Sequence, residues 1–163
     1  MSELRAARGV LELRAAEVLE VGAGAITLRV APYDEPATVD YRGRMIEERI
    51  APGAFAGVEG RPKRVGLNRD HDRARLVGRG VEFVEDRAGL VGRFVVADSE
   101  LGRESLELAE VGAVGASVEM RVEHHSLTST SRRVTRAWLD AVGLVPSSAY
   151  EGAEVLRIER KSR

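Results

Sequence analysis

Between Ala113 and His125 the chain reads AVGASVEMRVEHH, and apolar side chains return at every second residue. A period of two puts alternate residues on opposite faces of a strand. Val114, Ala116, Val118, Met120 and Val122 therefore share one face, while Ser117, Glu119 and Arg121 share the other. The same alternation predicts strands over Ala25–Ala31, Arg132–Pro146 and Ala153–Arg160, and a weaker one over Arg44–Ile50. Leu76–Ala97 reads as a hairpin turning at Asp86 to Gly89. PYDEPAT, after the first strand, is rich in turn formers, and VPSSAYEGAEV reads as a corner between two strands. Helical spacing is rarer. Asp98–Gly112 has an Asp-Ser start suited to capping, a closing glycine, and Leu101, Leu108 and Ala109 at helical intervals. Ala51–Val58 is a candidate short helix opened by Pro52. Many short strands with a few α-helices predict a mainly β barrel or sandwich. The absence of strand–helix–strand alternation argues against a doubly wound sheet.

A length of 163 residues predicts a single domain over 1–163 with a core of its own. Basic and acidic residues nearly cancel, 25 against 26, so no bulk field recruits nucleic acid or an anionic membrane. Cysteine is absent, which excludes disulfides, thiolate metal sites and a cysteine nucleophile. No apolar run reaches the length of a membrane span, and MSELRAARG lacks a signal-peptide core. The expectation is a soluble, intracellular protein.

Two residues draw chemical attention. His71 lies between Asp70 and Asp72 in VGLNRDHDRARLVGRG, in a chain with only three histidines. It reads either as a solvated loop residue or as a proton-transfer group. Ser117 sits among small residues in VGAVGASVE, where another backbone or an extended substrate can approach closely. A serine hydroxyl becomes a nucleophile when a base takes its proton, and neutral imidazole suits that task. The plainer reading is a solvated serine on the polar face of a strand. His124 and His125, adjacent on a strand, point to opposite faces and lack a third ligand at suitable spacing. The glycines of VGAGA and GAVGAS do not sit between strand and helix, as a nucleotide cradle requires.

In order along the chain, several segments resemble the tailed-phage prohead proteases, capsid maturation serine proteases related to herpesvirus assemblin. The matching pieces are APYDE (Ala31–Glu35), EERIAPGAF (Glu47–Phe55), NRDHDRARLVG (Asn68–Gly78), the long stretch from Ala88 to Met120, and LDAVGLVPSSAYEGAEV (Leu139–Val155). They span about Ala25 to Ile158. The resemblance implies a compact, β-barrel-like, assemblin-type protease fold, with Ser117 as nucleophile and His71 as general base. It implies no metal or organic cofactor. It implies major capsid protein and scaffold as protein substrates, self-association, and action in the bacterial host cytoplasm within the assembling prohead.

The pattern departs from the family in the closing strand. Where the family commonly has a carboxylate, this chain has Ala141, with Asp140 one residue earlier; Gly143 replaces a serine and Ser148 a proline. An offset of one residue turns a side chain to the other face unless a bulge re-aims it. The third group is then Asp140, re-aimed by a bulge, or Asp72, or absent in a Ser–His dyad. The rival reading is a non-catalytic shell or scaffold component that keeps the protease fold.

Overall fold

A strand pattern as regular as that around Ser117 needs a partner along its whole length, and the fold supplies one. The computed structural model describes residues 22–161, so the opening MSELRAARG lies outside the described residues. In chain order the elements are β1 (Gly24–Pro32), β2 (Ala37–Tyr41), β3 (Arg44–Ile50), β4 (Gly66–Arg69), β5 (Asp72–Glu85), β6 (Gly89–Val96), α1 (Glu100–Glu110), β7 (Gly115–Leu127), β8 (Ser131–Val145) and β9 (Val155–Arg160). The hairpins β5–β6 and β7–β8 are antiparallel; the first is the one read over Leu76–Ala97, and the second joins two strands read separately.

The sheet is organised around β8. Its first residues pair in parallel with β3, and its last residues pair in parallel with β4. On its other edge β7 runs antiparallel from end to end. The path β2-β3-β8-β4-β5-β6-β1-β9 makes one mixed sheet, with β7 attached through β8 alone. The expectation of a mainly β fold holds, with one correction to its barrel-like form: the ladder does not close. The nearest approach to closure runs through the corner after β8. There Ala116 of β7 donates its N–H to Ala153 O at 2.9 Å, and Arg29 of β1 donates to Glu154 O at 3.0 Å. That corner is the one read from VPSSAYEGAEV.

The core faces follow from the alternation. Ala116 is fully buried, and Val118, Met120 and Val122 pack against the same cluster as Leu139, Val142 and Leu144. Helix α1 begins where expected, with Ser99 Oγ accepting from Gly102 N at 3.0 Å, and it buries Leu106 and Ala109. Gly112 follows at a positive φ. Two strands escape the sequence pattern, and one local expectation fails. PYDEPAT contains the start of β2, whose hairpin to β3 turns on Arg42 and Gly43, both at positive φ. β4, four residues long, is too short to show a period. The short helix expected over Ala51–Val58 is a run of turns ending in a 3-10 turn at Val58–Gly60, because Gly53 and Gly57 take positive φ and interrupt the helix.

One buried polar cluster holds the corner in place. Tyr150 donates its hydroxyl to Glu48 Oε1 at 2.6 Å, while Arg132 pairs with Glu48 Oε2. Burial, and then the bond to the Glu48 carboxylate, push the Tyr150 phenol far above its usual range. That shift keeps the hydroxyl protonated, as a donor, at neutral pH. Tyr150→Phe leaves a buried carboxylate oxygen without that donor, and is expected to cost about 1–3 kcal/mol in urea unfolding. An unfolding midpoint equal to that of the wild type would show that the corner is held by other contacts.

Candidate active site

The stretch LNRDHD folds as a strand, a two-residue turn and a second strand. Arg69 pairs with Asp72 across β4 and β5, leaving Asp70 and His71 as the whole turn. Both take left-handed backbone conformations, with φ of 56° and 59°. A tight hairpin with two positive φ values favours Asn-Gly, and Asp and His accept it at some cost. The turn is tied down from outside, since Asp70 N donates to Leu144 O of β8 at 3.0 Å. Neither flanking acid serves the ring. Asp70 Oδ2 accepts from Arg75 at 2.9 Å, and Asp72 Oδ1 accepts from its own hairpin at Ala74 N, also at 2.9 Å.

The imidazole instead lies over the neighbouring strands. Gly143 of β8 pairs with Ser117 of β7 on one side and with Asn68 of β4 on the other. Asn68 and Ser117 therefore present their side chains to the same face of the sheet, on either side of Gly143. His71 Nε2 is 2.9 Å from Ser117 Oγ, and His71 Nδ1 is 3.3 Å from Glu119 Oε2. The ring can lie there because position 143 has no side chain. A Cβ at that position would sit 2.9 Å from His71 Nδ1, 3.0 Å from Cε1 and 3.2 Å from Asn68 Oδ1. The His71 side chain is 36% exposed and that of Glu119 only 20%, so the ring is partly open to solvent while the acid beside it is more enclosed.

The arrangement is a hydroxyl, an imidazole and a carboxylate in sequence. With the Nδ1 proton facing Glu119, Nε2 is the acceptor that faces the Ser117 hydroxyl. Sequence reasoning named Asp140 for the carboxylate position, and the structure puts a different acid beside the ring. A bulge does occur at Asp140: Glu119 pairs with Ala141, and the next residue, Met120, pairs with Leu139. It aims the Asp140 side chain at Arg121, which binds both carboxylate oxygens at 3.0 Å. The bond to Asp140 and its charge in turn raise the Arg121 guanidinium above its usual range. Asp140 thus belongs to a surface group with Arg121 and with Trp138, over whose ring Arg61 stacks at 3.5 Å.

Glu119 was legible as a neighbour of Ser117, since both were placed on the same face of one strand. Its meeting with His71 was not, because that requires the register of β4 on β8. Asn68 went unnoticed altogether. It is 2% exposed, and its Nδ2 donates to Glu119 Oε2 at 2.6 Å. Remote from this site, His124 and His125 are exposed on distal β7, where His125 meets Tyr41 edge-on. Among the described residues no cluster of His, Asp and Glu could hold a metal ion.

Gly143→Ala is expected to displace the imidazole, because the added methyl meets the ring of a half-exposed side chain that can move away. The measurement is serine labelling by a fluorophosphonate beside a thermal melt: slower labelling with an intact transition is the expected result. Unchanged labelling would mean the ring does not depend on the open floor.

The model of the caudovirus prohead serine protease family matches residues 11–163. No curated protein matches the chain.

Proposed function

Because the chain belongs to the caudovirus prohead serine protease family, we propose that it is the endopeptidase of head maturation, with Ser117 as nucleophile, His71 as general base and Glu119 as the orienting carboxylate. The observation that carries this reading is the 2.9 Å contact between Ser117 Oγ and His71 Nε2, made by residues 46 positions apart. A chance pairing of the chain's few histidines with one serine would not also place a carboxylate at the ring's other nitrogen.

The mechanism follows from the geometry. Ser117 Oγ attacks the scissile carbonyl carbon while His71 Nε2 takes its proton. Glu119 faces the resulting imidazolium through Nδ1 and stabilises it. The tetrahedral oxyanion needs N–H donors that the sheet has not already used. Ala116 N–H points away from β8, toward Ala153, and strand alternation sends Val118 N–H to the same outer edge. Val118 N–H, next to the nucleophile, is the donor best placed for the oxyanion. His71 then returns its proton to the leaving amine, and water, activated by the same imidazole, releases the acyl group from Ser117. An extended substrate segment could pair with the edge of β7 that β8 leaves open.

The substrates in this reading are the capsid protein and scaffold of an assembling prohead, together with the protease itself. No cofactor takes part. Asp140 takes no part either, being held by Arg121, and the rival reading of an inert shell component loses its motive once Glu119 supplies the carboxylate that Ala141 cannot.

The test combines fluorophosphonate labelling with processing of co-expressed capsid protein. Ser117→Ala and His71→Ala are expected to abolish both. Glu119→Gln keeps the shape and loses the charge, and is expected to slow the reaction roughly ten-thousandfold. Asp140→Asn is expected to leave the rate near that of the wild type. A loss in Asp140→Asn comparable with that in Glu119→Gln would exchange the roles of the two acids, and processing unaffected by Ser117→Ala would end the peptidase reading.

A further inference from the structure

The catalytic reading leaves Asn68 unexplained. β4 lies between β5 and β8, so both of its backbone edges are in the ladder. Its neighbour Leu67 is fully buried in the core, and alternation turns Asn68 to the face that carries Ser117, Glu119 and His71. An amide buried to this degree needs partners on both its oxygen and its nitrogen. Asn68 has one: Nδ2 donates to Glu119 Oε2 at 2.6 Å, while Oδ1 is buried without a hydrogen-bond partner. An orphaned buried acceptor is destabilising. A residue whose only task was to fill space would do so better as leucine.

The bond Asn68 does make is directed at a particular atom. Oε2 of Glu119 is also the oxygen 3.3 Å from His71 Nδ1. A carboxylate only accepts, so the amide must present its NH2 group there, and that bond fixes which way the Glu119 oxygen points. We infer that Asn68 is a positioning residue of the protease, pinning Glu119 Oε2, as a carboxylate, against the ring of His71. The inference rests on the Ser117–His71–Glu119 reading and extends it by one residue, from a third strand. Without this bond the Glu119 side chain, on an edge strand beside solvent, is free to turn outward. The other charges near the ring do not substitute for it, since Asp70 is bound to Arg75 and Asp72 to its own turn.

Two variants read this role. Asn68→Leu removes the donor together with the orphaned oxygen. It is expected to label with fluorophosphonate about tenfold or more slowly, while its melting temperature stays at or above that of the wild type. A purely structural asparagine predicts the reverse, lower stability and unchanged labelling. Asn68→Asp keeps the shape and puts a second carboxyl beside Glu119. Two buried carboxyls in contact share one proton, which donates across the gap as the amide did; once that proton leaves, the pair repels, so the labelling rate of this variant is expected to fall on the alkaline side, where the wild type keeps its rate. Should the leucine variant fail to fold, the aspartate profile decides alone.

Wild-type labelling in Asn68→Leu, or an alkaline side unchanged from the wild type in Asn68→Asp, would overturn the positioning role. Ser117→Ala, run in parallel, separates the two levels. If its labelling is lost while both Asn68 variants behave as wild type, only the inference about Asn68 fails. If its labelling persists, the protease reading fails with it.

Discussion

The site depends on one position with no side chain. Gly143 has a strand on either side, β7 and β4, and the ring of His71 above it. Strands in a sheet lie about 4.8 Å apart, so Asn68 and Ser117, one strand to each side of Gly143, are separated by roughly twice that. An imidazole laid across the middle strand can reach Ser117 and Glu119 on the far side only if the middle strand offers a flat floor. The parallel seam with β4 and the antiparallel seam with β7 meet at this residue. The same register that pairs backbone amides therefore also brings the side chains of Ser117, His71 and Glu119 together.

A second consequence of the β7–β8 register is where the carboxylate resides. The resemblance to prohead proteases places an acid at position 141, and this chain has alanine there. Directly across the ladder from Ala141 stands Glu119. A longer acid on the neighbouring strand reaches the same ring that a residue at 141 would face, so the charge has crossed the ladder without leaving the site. The bulge at Asp140 keeps the core in phase: Ala137 and Leu139 precede it on the buried face, and Val142 and Leu144 follow it with the parity shifted by one.

The free energy at this site is unevenly distributed. The turn holding His71 has two non-glycine residues at positive φ, and Asn68 leaves a buried oxygen without a partner. Both are unfavourable locally and persist because packing around them is dense, with Leu67, Leu139, Val142 and Leu144 all fully buried. The corner of residues 146–154 adds a clamp on the edge of β7. It is fixed at one end by Tyr150 on Glu48 and at the other by the bond from Ala116 to Ala153. The strand that carries Ser117 is thereby tied down on the edge that β8 leaves open.

The sequence by itself determined the mainly β class, the β5–β6 hairpin, the strands β7 and β8, the capped helix and the two faces of β7, because each of these is written in a local period or a local cap. It also marked Ser117 and His71, by residue type and by resemblance, and it contained a hint of the bulge in the shifted parity of Ala137, Leu139, Val142 and Leu144. Only the tertiary structure decided which acid meets the imidazole, that Gly143 is the floor beneath it, and that Asn68 reaches Glu119 from a third strand. The physical reason is that β4 pairs with β8 across more than seventy residues of intervening chain. A parallel register of that kind is set by the packing of the whole sheet, and no local pattern in four residues of strand can announce it.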